Sequence, residues 1–178
     1  MTTQHPPTPA GADPAAVQLL LLDVDGVLTD GRLFYGSDGT EFKAFHVRDG
    51  AALKQLRHAG VELAIITGRE SPMVERRAQE LGIDAVVQGA DNKASAFALL
   101  RQQRPGWAQL APEHCACIGD DLADLALFAE VGLRMTVADA HPLVLAEADW
   151  ISSLPGGHGV MREVAELLLR ARGQWPRG

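Results

Sequence analysis

Short apolar runs alternate along this chain with longer segments whose apolar residues recur every three or four positions. The short runs predict β-strands and the longer segments predict amphipathic helices. This alternation is typical of an α/β fold with a doubly wound, mostly parallel sheet. The predicted strands are residues 17–24, 61–66, 83–87, 115–118, 133–138 and 149–151. The predicted helices are residues 51–59 (capped by Asp49), 72–81, 91–103, 122–131 and 160–171, with a short helix after His141 and a loop over 104–112.

The most apolar run, Leu19–Leu22, leads directly into Asp23, Val24, Asp25 and Gly26. A run of this kind followed by turn residues predicts a strand at the centre of a parallel sheet. Ligands bind beyond the carboxyl ends of such strands, where Asp23 and Asp25 would lie. Because side chains alternate along a strand, both carboxylates should point the same way and repel each other. A hard divalent cation such as Mg²⁺ would relieve that repulsion.

Residues 31–48 interrupt the alternation with two β-like segments on either side of a Gly-Ser-Asp-Gly turn. This pattern predicts a β-hairpin inserted after the first strand. An isolated hairpin is marginal in water, so the apolar residues Leu33, Tyr35, Phe42 and Phe45 need cover. That cover could come from other copies of the chain or from the hairpin's own domain.

Composition limits the classes of function. The 178 residues carry a net charge of −7, which argues against a nucleic-acid binder. No apolar run is long enough to span a membrane. Cys115 and Cys117 are one residue apart, so they should face opposite sides of a strand and stay reduced. Residues 1–16 are predicted to form a disordered tail, residues 17–172 one domain, and residues 173–178 a flexible tail.

Three further polar signals follow Asp23 and Asp25 along the chain: Thr67-Gly68 at a strand end, Lys93 at a helix start, and Asp120 at another strand end. Each alone is typical of a turn or a cap. In this order, across about residues 19–125, they resemble the four motifs of the haloacid dehalogenase (HAD) superfamily. The stretch from Asp23 to Gly31 more narrowly resembles its small, capless, tetrameric sugar-phosphate phosphatases. Among these it is most similar to the phosphatases of 3-deoxy-D-manno-octulosonate 8-phosphate (KDO 8-phosphate).

The resemblance implies a Mg²⁺-dependent phosphomonoesterase. Asp23 would be the nucleophile and form an aspartyl-phosphate. Asp25 would protonate the leaving sugar oxygen and then deprotonate the attacking water. The metal would be held by the Asp23 carboxylate, the Asp25 backbone carbonyl and Asp120.

The same resemblance places the phosphate. Thr67 and the Gly68 N–H would hold its oxygens, and Lys93 would neutralise the charge shared with the nucleophile. Asp121 would lie behind the metal ligands, and Asp124 would help to orient them.

No segment is long enough for a cap domain, so the site should be open in a monomer. In the resembled family a neighbouring subunit closes it, which implies a homotetramer with active sites at subunit interfaces. Arg48 is a candidate for the substrate's carboxylate. Whether His158, in a Gly-Gly-His-Gly segment, or the tail from Arg170 contacts substrate is left open by the sequence.

Two alternatives remain at this point. The substrate could be another sugar-acid phosphate, such as N-acylneuraminate 9-phosphate. The chain could instead be a phospho-accepting signalling module. In receiver domains, however, an acidic pair comes first and the phospho-accepting Asp lies on a later strand, before the Thr and the Lys. The favoured interpretation is a cytoplasmic enzyme of lipopolysaccharide precursor synthesis.

Overall fold

The computed structural model describes residues 12–176. A six-stranded parallel sheet forms the centre, with the strand order β5-β4-β1-β6-β7-β8. Its strands are β1 (Leu19–Leu22), β4 (Glu62–Ile66), β5 (Ala85–Val87), β6 (Cys115–Ile118), β7 (Leu133–Thr136) and β8 (Trp150–Ile151). The helices are α1 (Val47–His58), α2 (Pro72–Leu81), α3 (Lys93–Gln103), α4 (Pro105–Ala108), α5 (Leu125–Phe128), α6 (Pro142–Glu147) and α7 (Val160–Ala171).

The strand β1 lies at the middle of this sheet, as predicted. It pairs in parallel with β4 on one side and β6 on the other, and its four leucines are fully buried. Burial on both faces explains why the run is apolar throughout rather than alternating. Because the chain moves to one side of β1 first and to the other later, the carboxyl end of β1 is the topological switch point, where ligands bind in such sheets.

The helices flank the sheet, and the predicted doubly wound α/β fold without a large cap domain is confirmed. One group pairs α1 with α7, and the other links α3, α4, α5 and α6. Among residues 12–176, no helix is long and apolar enough to cross a membrane.

The predicted cap of the first helix is wrong. Helix α1 begins at Val47, because the His46 side chain accepts a hydrogen bond from the Arg48 N–H. Asp49 lies within the first turn and is buried. Its carboxylate accepts a hydrogen bond of 2.8 Å from the Met161 N–H, so it caps the start of α7 instead.

Two segments predicted to be irregular are ordered. Residues Pro14–Ala16 form a 3-10 turn with Pro14 buried, whereas the disordered tail was expected to extend to residue 16. Residues 1–11 lie outside the described range. The predicted loop over 104–112 contains α4, where Pro105 starts a helical turn that buries Trp107. The indole N–H of Trp107 donates to Glu62 at 2.6 Å, a long-range partner that the local sequence does not indicate.

The predicted C-terminal tail folds back onto α7 as far as it is described. The N–H groups of Gln174 and Trp175 both donate to the Leu169 carbonyl, at 2.8 and 3.1 Å. The Arg162 guanidinium lies 5.9 Å from the centre of the Trp175 ring. Residues 177–178 of that tail lie outside the described range.

The predicted hairpin is present. Strands β2 (Phe34–Tyr35) and β3 (Glu41–Phe42) pair antiparallel as a separate two-stranded sheet. One face turns toward the end of β1, while Phe34, Tyr35 and Phe42 remain exposed, with Phe42 at 59%. The chain's own domain therefore leaves Leu33, Tyr35 and Phe42 largely uncovered, whereas Phe45, which was also expected to need cover, packs against the core.

Both cysteines of β6 are buried and free, as predicted.

Candidate active site

The four polar signals of the sequence converge at one edge of the sheet. Asp23 follows β1, Thr67 follows β4 and Asp120 follows β6, and these three strands are neighbours. Lys93 is the first residue of α3, which begins after the next strand of the sheet, β5. Parallel strands that share an edge bring residues distant in sequence to one place, which explains the convergence.

Lys93 joins two carboxylates in the interior. Its Nζ lies 2.6 Å from Asp23 Oδ1 and 2.5 Å from Asp124 Oδ1, and its side chain is only 5% exposed. Burial would lower the pKa of Lys93, but the charges of Asp23 and Asp124 outweigh that effect and raise it. The ammonium group is therefore held in its charged form against the predicted nucleophile.

Asp124 is fully engaged by the protein. Its Oδ1 accepts from Lys93, and its Oδ2 accepts from the backbone N–H groups of Asp120 and Asp121 at 3.0 and 3.2 Å. Gly119 is required beside it, since a Cβ there would lie 2.2 Å from the Asp124 carboxyl carbon. Asp124 thus fixes both Lys93 and the turn that carries Asp120, a stronger role than the orienting one predicted for it.

The edge carries more negative than positive charge. Burial above all, and then the charge of Asp124, raises the pKa of Asp23 to about 6 despite Lys93. Burial, followed by the charges of Asp23, Asp124 and Asp121, raises the pKa of Asp120 to about 8. An additional positive charge at this place would oppose both causes and stabilise the ionised carboxylates.

A divalent cation fits these residues. Asp23, Asp120 and Asp124 bring carboxylate oxygens within 4.8 Å of one another, and an all-oxygen ligand set suits a hard cation. Since Asp124 is occupied on both oxygens, Asp23 and Asp120 are the carboxylates best placed to bind it. The Asp120 carboxylate lies against Gly26, where a Cβ would come within 2.1 Å of Oδ2. Gly26 has a φ of +103°, so glycine suits this position both in conformation and in space.

Asp25 points elsewhere than the alternation rule predicts. Its Oδ1 accepts a hydrogen bond from Lys43 of the hairpin, and Arg69 Nε lies 3.8 Å from its Oδ2. Arg69 in turn approaches Glu41 at 3.6 Å and donates to the Tyr35 hydroxyl at 3.2 Å. The strand ends at Leu22, so Asp25 already lies in a turn and period-two alternation no longer applies to it. The expectation that both side chains face one cation is wrong, because the Asp25 carboxylate faces Lys43 and Arg69.

The proposed phosphate-binding residue Thr67 is buried at the end of β4. Its N–H donates to the Val87 carbonyl and its carbonyl accepts from the Ala90 N–H, each at 3.0 Å. Backbone pairing on both sides fixes the main chain at Thr67, and the following Gly68 is exposed.

Arg48 lies beside the Gly-Gly-His-Gly segment rather than in the acidic cluster. Its Cδ is 3.9 Å from where a Cβ on Gly159 would lie. His158 Nδ1 lies 2.6 Å from the Gly156 carbonyl, to which it can only donate. A Cβ on Gly156 would lie 1.8 Å from the Gly26 carbonyl oxygen, so this segment packs directly on the turn that follows Asp25.

Sequence reasoning missed Lys43 and Glu41. If the alternation of β3 continues by one residue, Glu41 and Lys43 lie on one face and Phe42 on the other. The structure agrees, because the Lys43 side chain is 1% exposed and Phe42 is mostly exposed. The local pattern therefore predicts that Glu41 and Lys43 share one face of the hairpin, but it does not indicate which face contacts the site.

Known proteins share this arrangement. A family model described as haloacid dehalogenase-like hydrolase matches residues 40–132. A relative from Escherichia coli K12, named 3-deoxy-D-manno-octulosonate 8-phosphate phosphatase, is 45% identical over 170 residues, covering 93% of this chain and 88% of the relative. The chain belongs to the haloacid dehalogenase-like hydrolase family. The predicted membership of the HAD superfamily, the closer resemblance to KDO 8-phosphate phosphatases and the status of an enzyme are confirmed.

Solved structures of related proteins have the same fold. A KDO 8-phosphate phosphatase from Moraxella catarrhalis, in complex with magnesium, phosphate and KDO, matches with a TM-score of 0.84 and 45% identity, over 89% of each chain. A cobalt-bound one from Haemophilus influenzae matches with a TM-score of 0.84 and 40% identity, over 90% of this chain and 92% of that one. Both a magnesium and a cobalt complex are thus found among the structural relatives of this fold.

Proposed function

We propose that this protein is a Mg²⁺-dependent phosphatase that hydrolyses KDO 8-phosphate to KDO and phosphate. The observation that carries the proposal is the Asp23–Lys93–Asp124 contact beside Asp120, at the switch point of a chain 45% identical to enzymes of that name. Phosphate monoesters resist attack because they are anions, so a nucleophile paired with fixed positive charge is what the reaction needs.

In the first step an Asp23 carboxylate oxygen attacks phosphorus and the bond from phosphorus to the sugar oxygen breaks. Lys93 stabilises the negative charge that Asp23 and the phosphoryl group share, from a buried position that needs no rearrangement. Asp25 gives its proton to the departing sugar oxygen, which would otherwise leave as a costly alkoxide.

In the second step water attacks phosphorus and the bond from phosphorus to Asp23 breaks. Asp25 accepts the proton of that water and returns to its starting state. The Thr67 hydroxyl and the Gly68 N–H hold phosphoryl oxygens during both steps. Mg²⁺, held by Asp23, Asp120 and the Asp25 carbonyl, would neutralise phosphoryl charge as a Lewis acid.

Substrate and assembly belong to the same proposal. The KDO found in the Moraxella catarrhalis complex supports a sugar acid as the leaving group. The exposed apolar side chains Phe34, Tyr35 and Phe42 support burial of the hairpin between copies in a homotetramer. Arg48, which lies beside the Gly-Gly-His-Gly segment, would then approach the substrate's carboxylate from the rim. We place the enzyme in the cytoplasm, in lipopolysaccharide precursor synthesis.

The proposal is tested by phosphate release from a panel of sugar phosphates, with Mg²⁺ and with excess chelator. KDO 8-phosphate should have the highest kcat/KM, and chelation should abolish release. A preference for N-acylneuraminate 9-phosphate would keep the chemistry and replace the substrate. No release from any sugar phosphate, together with a lasting phosphorylated protein, would contradict the phosphatase function and favour a signalling module.

A further inference from the structure

Lys43 brings a positive charge into the site from an element outside the central sheet. It follows β3 of the hairpin, yet its side chain is 1% exposed and its Nζ contacts Asp25 Oδ1. Burying an ammonium group is costly unless it is paired. Its second neighbour, Glu41 Oε1, lies 3.7 Å away, which is too long for a hydrogen bond, so Asp25 is the partner that justifies its position.

The contact divides the Asp25 carboxyl group into one held oxygen and one free oxygen. Oδ1 accepts from Lys43, whereas Oδ2 is buried and accepts no hydrogen bond from the described part of the chain. Arg69 Nε, at 3.8 Å from Oδ2, is beyond hydrogen-bond range. This asymmetry suits a proton-transfer residue, because one oxygen fixes the orientation while the other is free to exchange the proton.

Charge balance explains why the hairpin can hold this position. Lys43 and Arg69 alternate with Asp25 and Glu41 at separations of up to 3.8 Å, two positive and two negative groups. This group links the hairpin to the turn after β1. It is also distinct from the Asp23–Lys93–Asp124 contact, which involves none of these four residues.

We propose that Lys43 is a positioning residue for the reaction: it holds the Asp25 carboxyl group so that Oδ2 faces the transferred proton. This rests on the function proposed above, in which Asp25 is the proton donor and acceptor. A well-placed proton-transfer group raises the reaction rate about 10²–10⁴-fold, and a small misplacement of the group loses much of that increase. Loss of Lys43 should therefore lower kcat about 10–100-fold and leave substrate binding largely intact.

The test compares four full-length proteins with Mg²⁺: wild type, Lys43→Met, Lys43→Arg and Lys54→Met. Lys54 is an exposed lysine of α1 and serves as the matched control. Steady-state kinetics with KDO 8-phosphate give kcat and KM. Beryllium fluoride, a phosphoryl analogue that binds a nucleophilic carboxylate together with Mg²⁺, reports on the Asp23 site through the rise in Tm that it causes.

We expect Lys43→Met to lose about 10–100-fold in kcat, with KM changed by less than about threefold and an unchanged Tm rise with beryllium fluoride. Lys43→Arg, which can still donate to Asp25, should recover a substantial part of kcat, and Lys54→Met should behave as wild type. A kcat of Lys43→Met within about twofold of wild type would overturn the inference. So would a loss confined to KM, or a parallel loss of the beryllium fluoride effect, which would indicate general disruption of the site. An inactive wild type would instead overturn the proposed function on which the inference rests.

Discussion

Replacing Asp120 by Asn should stabilise the metal-free protein and, at the same time, abolish its stabilisation by Mg²⁺. Burial and the charges of Asp23, Asp124 and Asp121 raise the pKa of Asp120 to about 8, from an ordinary value of 3.8. The folded state therefore holds a proton here that the unfolded chain releases, so its stability falls as the pH rises from about 4 towards 8. An asparagine at this position carries no charge, so the stability of the variant does not fall with pH for this reason.

The magnitude follows from the pKa gap. At pH 7 the solution is roughly 3 units above the ordinary pKa, and each unit corresponds to about 1.4 kcal/mol, which sets a ceiling of about 4 kcal/mol. Because the Asp120 side chain is partly exposed, solvent screening reduces this to about 2 kcal/mol. For a chain of this size that is a rise in Tm of roughly 4–8 °C.

Thermal unfolding at pH 5 and pH 7, in chelator and in Mg²⁺, measures the effect. The gain of Asp120→Asn in chelator should be clear at pH 7 and small at pH 5. Mg²⁺ should raise the Tm of wild type and leave that of the variant unchanged, because a metal ligand is lost. Asp91→Asn, which removes an exposed carboxylate, is the matched control. A variant less stable than wild type in chelator at pH 7, or an equal effect of Mg²⁺ on both, would refute the reasoning.

Three further substitutions test other parts of the site. Asp23→Asn should abolish phosphate release while circular dichroism and Tm show an intact fold. Loss of a catalytic nucleophile lowers activity by about 10³-fold or more, so residual activity above about 1% would contradict the assignment of Asp23 as the nucleophile. Lys93→Met should inactivate the enzyme and lower the free energy of unfolding, measured in urea, by about 3 kcal/mol, because two buried carboxylates lose their partner. The control Lys54→Met should change neither quantity, and equal effects of the two substitutions would contradict the role of Lys93. Gly156→Ala should lower the free energy of unfolding by about 1–3 kcal/mol and reduce kcat, because the added Cβ would collide with the turn after Asp25. The control Gly106→Ala, whose Cβ would meet nothing within 4 Å, should be tolerated, and a tolerated Gly156→Ala would show that the turn can move.

The sheet was predictable because its signal is local. Four consecutive leucines cannot form an amphipathic helix or a half-exposed strand, so they indicate the central position that β1 occupies. Turn residues after β1, β4 and β6 then place Asp23, Thr67 and Asp120 at the same edge. For these residues, the parallel sheet follows from the alternation of strands and helices, and the shared edge follows from the parallel sheet.

What failed depends on contacts distant in sequence. Asp49 looks like a cap for its own helix, but it caps α7, 112 positions away. Trp107 orders a segment predicted as loop by reaching Glu62. Lys43 meets Asp25 only because the hairpin folds over the end of β1. In each case the local sequence supplies the polar or aromatic group, and only the tertiary fold supplies its partner.

The central claim is that Asp23 carries the phosphoryl group during turnover. The most direct measurement is acid quenching of the wild-type enzyme as it hydrolyses KDO 8-phosphate with Mg²⁺, followed by peptide mass spectrometry. We expect a transient acyl phosphate on Asp23 that disappears when the substrate is exhausted. Turnover without a phosphorylated Asp23, or a phosphorylated Asp23 that persists without turnover, would contradict it.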